Sequence, residues 1–346
     1  MRDTTDGKTL GRFAECVRRS PVILTEGAVI ERLRRDADVP LDPFVLHAGF
    51  IYDERGSGAL GALYRQYLDI GRAADLPMII CTPTWRANPT RLRQAGLDGR
   101  DVNGDGVRFV DSIRREYGAY AAKIFIGGLL GCRGDAYRPA EGLPADEAAA
   151  FHRTQVKALV ASQVDFLFAA TLPTAAEARG IALAAADFQV PYVLSFVVRR
   201  DGTLLDGTPL HEAVAGIDAA LGSPPLFYTV NCVHPSIFEE AMVSAISRLP
   251  RVAGRVIGLQ ANTSSKSPEE LDGLTALDAE PPEALAESIL RLRLLFGTKV
   301  LGGCCGTDHR HIEHIARRIG EEAAHRSGKP SGIGAQAASR RASKGE

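Results

Sequence analysis

The sequence has almost no charge imbalance, no long apolar run and few cysteines. Its formal net charge is −1 over 346 residues, so it offers no electrostatic case for a nucleic-acid or membrane partner. No apolar run approaches the length of a transmembrane helix, and the N-terminus lacks the apolar stretch of a signal peptide. Six cysteines in so long a chain do not form a disulfide scaffold, which makes the reducing cytoplasm the expected location.

What the sequence does contain is a series of short apolar runs separated by helical stretches. The runs are continuous rather than alternating, which is typical of parallel strands covered on both faces. Between them lie stretches such as 147–162 and 283–295, with apolar residues at three- and four-residue spacing. The eight runs cover 22–25, 77–82, 123–127, 165–169, 192–197, 226–230, 255–260 and 299–301.

Eight strand–helix units predict an α/β fold, a (β/α)8 TIM barrel forming a single domain. The alternative is an open doubly wound sheet, although no GxGxxG motif follows the first strand. We expect the barrel over residues 21–326, after an N-terminal extension, 1–20, that forms a helix across the barrel bottom. Residues 327–346 have little to bury and are expected to be a disordered tail. Segments 204–211 and 263–282 are expected to be long loops at the active face.

Three cysteines stand out because each follows an apolar run. Cys232 lies in Asn231-Cys232-Val233-His234-Pro235, and Cys304 and Cys305 lie in a run of sequence GGCCGT. Strand ends at one face are where a barrel enzyme keeps its chemistry. Thiolates are zinc ligands, and catalytic zinc sites leave one of four positions open. The cysteines alone leave other interpretations open, namely a small buried hydrophobe at Cys232, and two unrelated thiols or a strained redox disulfide at the pair.

These segments resemble the two zinc-thiolate motifs of the homocysteine S-methyltransferase family, and the GGCCGT run is the more specific of the two. The resemblance covers about residues 22–320. Weaker matches follow in the family's order, at Glu26-Gly27-Ala28, Thr82-x-Thr84-Trp85, Asp165-Phe-Leu-Phe, Glu177-Ala178, Leu194-Ser195-Phe196 and Asp206-Gly207-Thr208.

The resemblance implies that Cys232, Cys304 and Cys305 bind Zn²⁺ as the cofactor, with a substrate thiol in the fourth position. It implies methyl transfer to that thiol from an onium donor such as S-methylmethionine, S-adenosylmethionine or a betaine-like ammonium. Coordination deprotonates a thiol, so no separate general base is named. The expected partners are these two small molecules, without nucleic acid or membrane. An oligomer is compatible with the sequence.

The first expected substrate contact follows strand one. The Glu26 carboxylate is placed to accept hydrogen bonds from a substrate ammonium group, and the N–H groups of Gly27 and Ala28 to hold a carboxylate. The family usually has Asp-Gly at this point, so Glu26 is a near match. The other substrate-binding residues implied by the resemblance are Thr84, Trp85, Arg86, Ala170, Thr171 and Asn231.

Two of these positions depart from the family pattern. The family has Glu-Thr after strand four, where this chain has Ala170-Thr171, and alanine cannot bind an ammonium group. The family has Tyr or Gln where this chain has Arg86. The aromatic face of Trp85 favours an onium donor, whereas Arg86 beside it opposes one. We therefore expect homocysteine to bind weakly or not at all, so the acceptor is left open between homocysteine and a related thiol.

Other patterns were weighed against metal or substrate binding. Asp101-x-Asn103-x-Asp105-Gly106 copies half of a calcium loop, but its twelfth position is Ser112 rather than Glu, so turns and helix caps are the better interpretation. The spacing of His309, His311 and His314 does not place all three on one helical face. His234, two residues past Cys232, is interpreted as a plain loop histidine that could also orient a ligand.

The sequence thus predicts a cytoplasmic, zinc-dependent S-methyltransferase acting on homocysteine or a related thiol, which would connect it with methionine biosynthesis. Two alternatives stay open. One is a zinc-thiolate barrel enzyme acting on a different thiol or in demethylation, and the other is a non-catalytic zinc-binding homologue.

Overall fold

The computed structural model describes residues 6–36, 39–266 and 279–327 and contains eight parallel strands closed into one barrel. The strands are β1 Ile23–Thr25, β2 Met78–Cys81, β3 Ile124–Leu130, β4 Phe166–Leu172, β5 Tyr192–Phe196, β6 Phe227–Val233, β7 Val256–Ala261 and β8 Val300–Gly303. Because β1 pairs in parallel with both β2 and β8, the sheet has no free edge. The predicted (β/α)8 TIM barrel is confirmed, and the open-sheet alternative is wrong.

Helices surround the barrel, and both helices predicted by residue range are present. The α-helices are α1 Asp6–Arg19, α2 Ile30–Asp36, α3 Glu54–Ala73, α4 Pro89–Gln94, α5 Val102–Arg115, α6 Ala145–Ala161, α7 Ala175–Ala186, α8 Leu210–Ala220, α9 Pro235–Arg248, α10 Pro282–Phe296 and α11 His309–Ser327. In α6, Ala148, Val156 and Leu159 are buried against the sheet side. Helix α10 ends at Phe296 and is capped by Gly297, whose φ of 70° is the left-handed conformation that glycine adopts readily. None of the described helices is long and apolar enough to cross a bilayer.

Three strands continue three residues beyond the ends that their apolar runs predicted. Strands β3, β4 and β6 reach Leu130, Leu172 and Val233, and the pairing of β4 and β6 with their neighbours shifts register near these ends. The extensions of β4 and β6 carry the polar residues Thr171 and Asn231, which is why hydrophobicity alone ended these two strands early, whereas the extension of β3 is Gly128-Leu129-Leu130. Thr171 and Asn231 therefore lie within the sheet rather than after it.

The N-terminal ends of the strands are closed by α1. Phe13 is fully buried, and its ring stacks on that of Phe166 at 3.9 Å between centroids and lies 5.3 Å from that of Phe125. Arg12 adds an ion pair of 3.3 Å with the buried Asp165. This is the helix across the barrel bottom expected within residues 1–20.

Parts of the remaining boundary predictions lie outside the described residues. Residues 328–346 of the expected disordered tail are outside the described part of the chain. The same is true of residues 267–278 in the expected loop 263–282 and of residues 1–5 in the extension. The other expected loop, 204–211, is partly helical, because α8 begins at Leu210.

Candidate metal and substrate site

A cavity of about 490 Å³ opens at the carboxyl ends of the strands. This is the face on which barrel enzymes keep their active sites. Of the predicted site residues, its lining includes Glu26, Gly27, Ala28, Trp85, Arg86, Ala170, Thr171, Asn231, Cys232, Cys304 and Cys305.

Thr84 is the predicted substrate residue that does not line this cavity. It is fully buried, and its hydroxyl donates to the Leu129 carbonyl at 2.6 Å and lies 2.7 Å from the Thr82 hydroxyl. These bonds tie the loop after β2 to β3. Thr84 is therefore placed to support the adjacent Trp85 rather than to touch substrate.

The three predicted metal ligands come together at the ends of β6 and β8. The sulfur atoms of Cys232, Cys304 and Cys305 all lie within 4.8 Å of one another, and those of Cys232 and Cys305 are 3.5 Å apart. Three ligands of a tetrahedral zinc ion with bonds of about 2.3 Å would be about 3.8 Å apart. Within the described part of the chain, no other group of three such side chains has metal-site geometry.

The backbone of β6 twists to present the Cys232 sulfur. Cys232 has φ of 60°, a left-handed conformation that non-glycine residues seldom adopt. Thr171 on β4 has φ of 62°, so two strand ends of this face share the same unusual conformation. Such backbone is retained where surrounding contacts hold it, and it clusters at functional sites.

Asn231 supplies those contacts. Its amide oxygen accepts hydrogen bonds from the Thr171 N–H at 2.9 Å and the Ser195 hydroxyl at 2.6 Å, and its amide nitrogen donates to the Thr171 hydroxyl at 2.8 Å. All three residues are buried. Asn231 thus fixes the ends of β4, β5 and β6 relative to one another, one residue before the first cysteine.

The glycines beside the cysteine pair are required by close packing. A Cβ atom on Gly303 would collide with the Thr307 side chain, and Gly306 has φ of 82°. The Cys304 N–H donates to the Ala261 carbonyl at 2.7 Å, and the Thr307 hydroxyl donates to the Cys304 carbonyl at 2.6 Å. The GGCCGT run therefore forms a tight turn that holds two adjacent thiols at the rim of the cavity.

Sequence reasoning missed Tyr137, which contacts the thiol cluster. Its hydroxyl lies 2.9 Å from the Cys232 sulfur, and its side chain lines the cavity. Hydrogen bonds from Cys304, Cys305 and Tyr137 hold the pKa of Cys232 well below its usual range, despite burial. The same cluster raises the pKa of Cys304 and of Cys305. Tyr137 lies in a loop without a recognisable motif, so no sequence signal pointed to it.

Glu26 lines the cavity and is almost wholly buried. Its carboxylate accepts a hydrogen bond from the Cys81 N–H at 3.0 Å, and burial raises its pKa to about 8. The Ala28 N–H donates to the Thr307 hydroxyl at 3.0 Å. That N–H therefore already has a partner, which corrects the expectation that it would hold a substrate carboxylate.

Trp85 and Arg86 are held by each other and by the strand ends. The Trp85 indole N–H donates to the Ala170 carbonyl at 3.1 Å, and the Arg86 guanidinium lies 4.6 Å from the centre of the Trp85 ring. One face of the ring is thus covered by an internal cation. The aromatic face expected to attract an onium group is only partly available.

His234, His311 and Asp101 have structural partners. His234 is the N-cap of α9, and its Nε2 lies 3.2 Å from Glu280. His311 is buried beside Asp308 at 3.1 Å. Asp101 is the N-cap of α5, as its turn-and-cap interpretation predicted.

Together the fold and the site define a (β/α)8 barrel with a cluster of three thiols in the cavity at the carboxyl ends of its strands. A model of the homocysteine S-methyltransferase family matches residues 23–319. The chain belongs to the homocysteine S-methyltransferase family, and this membership makes it an S-methyltransferase by class.

Individual relatives agree with this assignment. The chain is 29% identical over 211 residues to homocysteine S-methyltransferase YbgG of Bacillus subtilis, a match that spans 58% of each protein. It is 26% identical over 269 residues to the homocysteine S-methyltransferase of Escherichia coli, covering 73% of this chain and 82% of that one.

Solved structures agree on the fold. The metallated form of the homocysteine methyltransferase MmuM from Escherichia coli matches with a TM-score of 0.68 at 21% identity, covering 89% of this chain and 99% of that one. Its oxidized form matches with a TM-score of 0.69 at 22% identity.

Proposed function

We propose that the protein is a zinc-dependent S-methyltransferase that moves a methyl group from an onium donor to a zinc-bound small-molecule thiol. The observation that carries this proposal is the convergence of three sulfur atoms within 4.8 Å at the carboxyl end of the barrel. They line a cavity of about 490 Å³, which has room for small substrates beside them.

The donor set fits zinc. Cys232, Cys304 and Cys305 offer three soft thiolates, and three protein ligands leave one position free. When bound there, zinc supplies a Lewis acid that lowers the pKa of a coordinated thiol. A closed structural site would use four protein ligands, and this cluster offers three among the described residues.

Residues of the chain position the Cys232 thiol and influence the protonation of groups at this site. The Tyr137 hydroxyl lies 2.9 Å from the Cys232 sulfur, and this hydrogen bond lowers the pKa of Cys232 and so favours its thiolate form. Asn231 holds the strand end that presents this cysteine. Glu26 is a buried carboxylate of the cavity lining, and a substrate ammonium beside it would oppose the effect of burial and favour its charged form.

The acceptor is homocysteine or a related thiol, and one observation favours the latter. Ala170 lines the cavity at the strand end where the resemblance places a carboxylate, and Arg86 adds a cation to the same lining. The same two differences favour a second candidate function, which is the processing or demethylation of a different thiol on the same scaffold. Free thiols at the site suit a reducing compartment, so a cytoplasmic location belongs to the proposal.

A methyl-transfer assay tests the function. The zinc-loaded protein is incubated with a panel of thiols and onium donors, and methylated products are measured by mass spectrometry. We expect product from at least one pair, and none after the Cys304→Ser substitution. Product formation that is unchanged in Cys304→Ser, or absent with every pair, would contradict the proposal.

A further inference from the structure

A group of nitrogen-rich side chains lines the same cavity as the thiols. Arg86 lies after β2, Arg91 lies in α4, and His47 lies in the segment before residues 48–52. None of the three is a predicted metal ligand, and only Arg86 was expected at the substrate site. Their hydrogen-bond partners leave part of their bonding capacity unused.

The two guanidinium groups meet at one carbonyl oxygen. Arg86 Nη1 and Arg91 Nη2 each donate to the Gly134 carbonyl at 3.3 Å. Arg91 also reaches the Phe44 carbonyl at 3.3 Å and the Arg133 carbonyl at 3.4 Å. These bonds are long and end on neutral acceptors, whereas arginine bonds most strongly to carboxylates in a two-pronged arrangement.

Two nitrogen atoms of these cavity-lining side chains are buried without a partner. Arg91 Nε and His47 Nδ1 are both buried and have no hydrogen-bond partner. The His47 side chain is 3% exposed, and burial lowers its pKa to about 4, so its imidazole is neutral near pH 7. A buried polar atom without a partner is costly, so the protein does not fully satisfy the polar groups of these two side chains.

The guanidinium groups of Arg86 and Arg91 interact at this part of the cavity, and the charges of Asp135 and Glu141 partly offset them. Burial, followed by the charge of Arg86, lowers the pKa of Arg91, which reflects two cations held close together. Asp135 also lines the cavity, and one of its oxygen atoms accepts the Tyr137 N–H at 2.8 Å. Among the described residues, no carboxylate forms an ion pair with Arg86 or Arg91.

We propose that Arg86, Arg91 and His47 form a subsite for the carboxylate of a small substrate that reacts at the thiol cluster. The inference rests on the proposed function and names its substrate class: a thiol acceptor or an onium donor that carries a carboxylate. The same cavity has no carboxylate at position 170 to bind a substrate ammonium group, as the family pattern provides. Recognition of the substrate carboxylate by these cations would replace part of that selectivity.

The test compares matched probes that differ only in charge. Binding to the zinc-loaded full chain is measured by titration calorimetry for mercaptopropionate against mercaptopropanol, and for glycine betaine against choline. The first pair reports on the acceptor and the second on the donor. Propionate against propanol, measured on metal-free protein, reports on the subsite without any metal or methyl transfer.

Three variants complete the design. Arg91→Gln and Arg86→Gln remove one cation each, and Arg93→Gln is the matched control, because Arg93 lies in the same helix, is exposed and does not line the cavity. Melting temperatures establish that each variant is folded. If Arg91→Gln unfolds, Arg86→Gln and the wild-type preference still decide the question.

We expect the wild type to bind the carboxylate of at least one pair about tenfold or more tightly than its neutral partner, and each cavity variant to lose that preference. Arg93→Gln should retain it. Equal binding of charged and neutral probes by the wild type in all pairs, or an equal loss for both in the variants, would overturn the subsite. A propionate preference in a protein without methyl-transfer activity would instead contradict the proposed function alone.

Discussion

The two ends of the barrel are built from opposite chemistry. At the N-terminal ends of the strands, the Phe13 ring fills the interior and stacks on Phe166 at 3.9 Å. At the carboxyl ends, the interior opens into a cavity of about 490 Å³ with thiols and polar groups in its wall. The difference indicates that one end contributes to stability by burial, while the other carries unusual backbone and partly unsatisfied polar groups for binding.

The largest expected effect separates metal binding from folding. Cys304→Ser and Cys232→Ser should reduce zinc from about one per chain to nearly none, because two thiolates bind the ion much more weakly than three. The fold should persist, since a barrel of this size has its own core. Metal analysis and circular dichroism measure both quantities. Cys16→Ser, at the other end of the barrel, is the control, and equal zinc in all proteins would reject the assignment.

The converse substitution is at the closed end. Phe13→Ala should lower the free energy of unfolding by about 3–5 kcal/mol, the usual cost of deleting a buried aromatic ring, and should leave zinc content unchanged. Urea denaturation and metal analysis provide the readings. Phe13→Leu, which keeps most of the apolar volume, should lose less. A Phe13→Ala protein of wild-type stability would show that α1 does not stabilise the barrel.

The next effect concerns the acid buried at the open end. Burial raises the pKa of Glu26 from 4.5 to about 8, so the fold favours its protonated form. Its contribution to stability is therefore full below about pH 4.5 and is lost as the pH rises toward 8. Glu26→Gln stays neutral and should remove this dependence.

Urea unfolding of both metal-free proteins at about pH 5 and about pH 8 measures this contribution. Between these two pH values, the free energy of unfolding should fall by about 2–4 kcal/mol more in the wild type than in Glu26→Gln. Parallel pH profiles would mean that Glu26 is not desolvated as the structure indicates.

The smallest expected effect restores a charge that the cavity lacks. A hydrogen bond between charged groups contributes about 1.5–3 kcal/mol, so Ala170→Glu should improve homocysteine binding by about tenfold or more. Titration calorimetry of the zinc-loaded forms is the measurement, with Ala170→Gln as the control that adds size without charge. Tight binding of homocysteine by the wild type, or no gain in Ala170→Glu, would contradict the role assigned to Ala170.

The barrel and the cysteines were predictable because their signals are local in sequence. Eight apolar runs mark the strands, and two short motifs mark Cys232 and the pair at Cys304 and Cys305. The contact of Tyr137 with Cys232 was not predictable, because it joins positions 95 residues apart through a loop without a motif.

Side-chain partners at the strand ends were equally hidden. The sequence suggested that Ala28 could hold a carboxylate with its N–H, but that N–H bonds to Thr307, 279 residues away. The left-handed backbone of Cys232 also left no signal, since left-handed φ is predicted from glycine and this residue is not glycine. Such features depend on which strands become neighbours, and only the closed barrel determines that.

The central claim is that three cysteines of this chain hold one zinc ion. X-ray absorption at the zinc edge of the purified full-length protein tests it most directly. The account predicts three sulfur neighbours at about 2.3 Å supplied by the protein. A first shell dominated by nitrogen and oxygen, or one with fewer than three sulfur atoms, would contradict it.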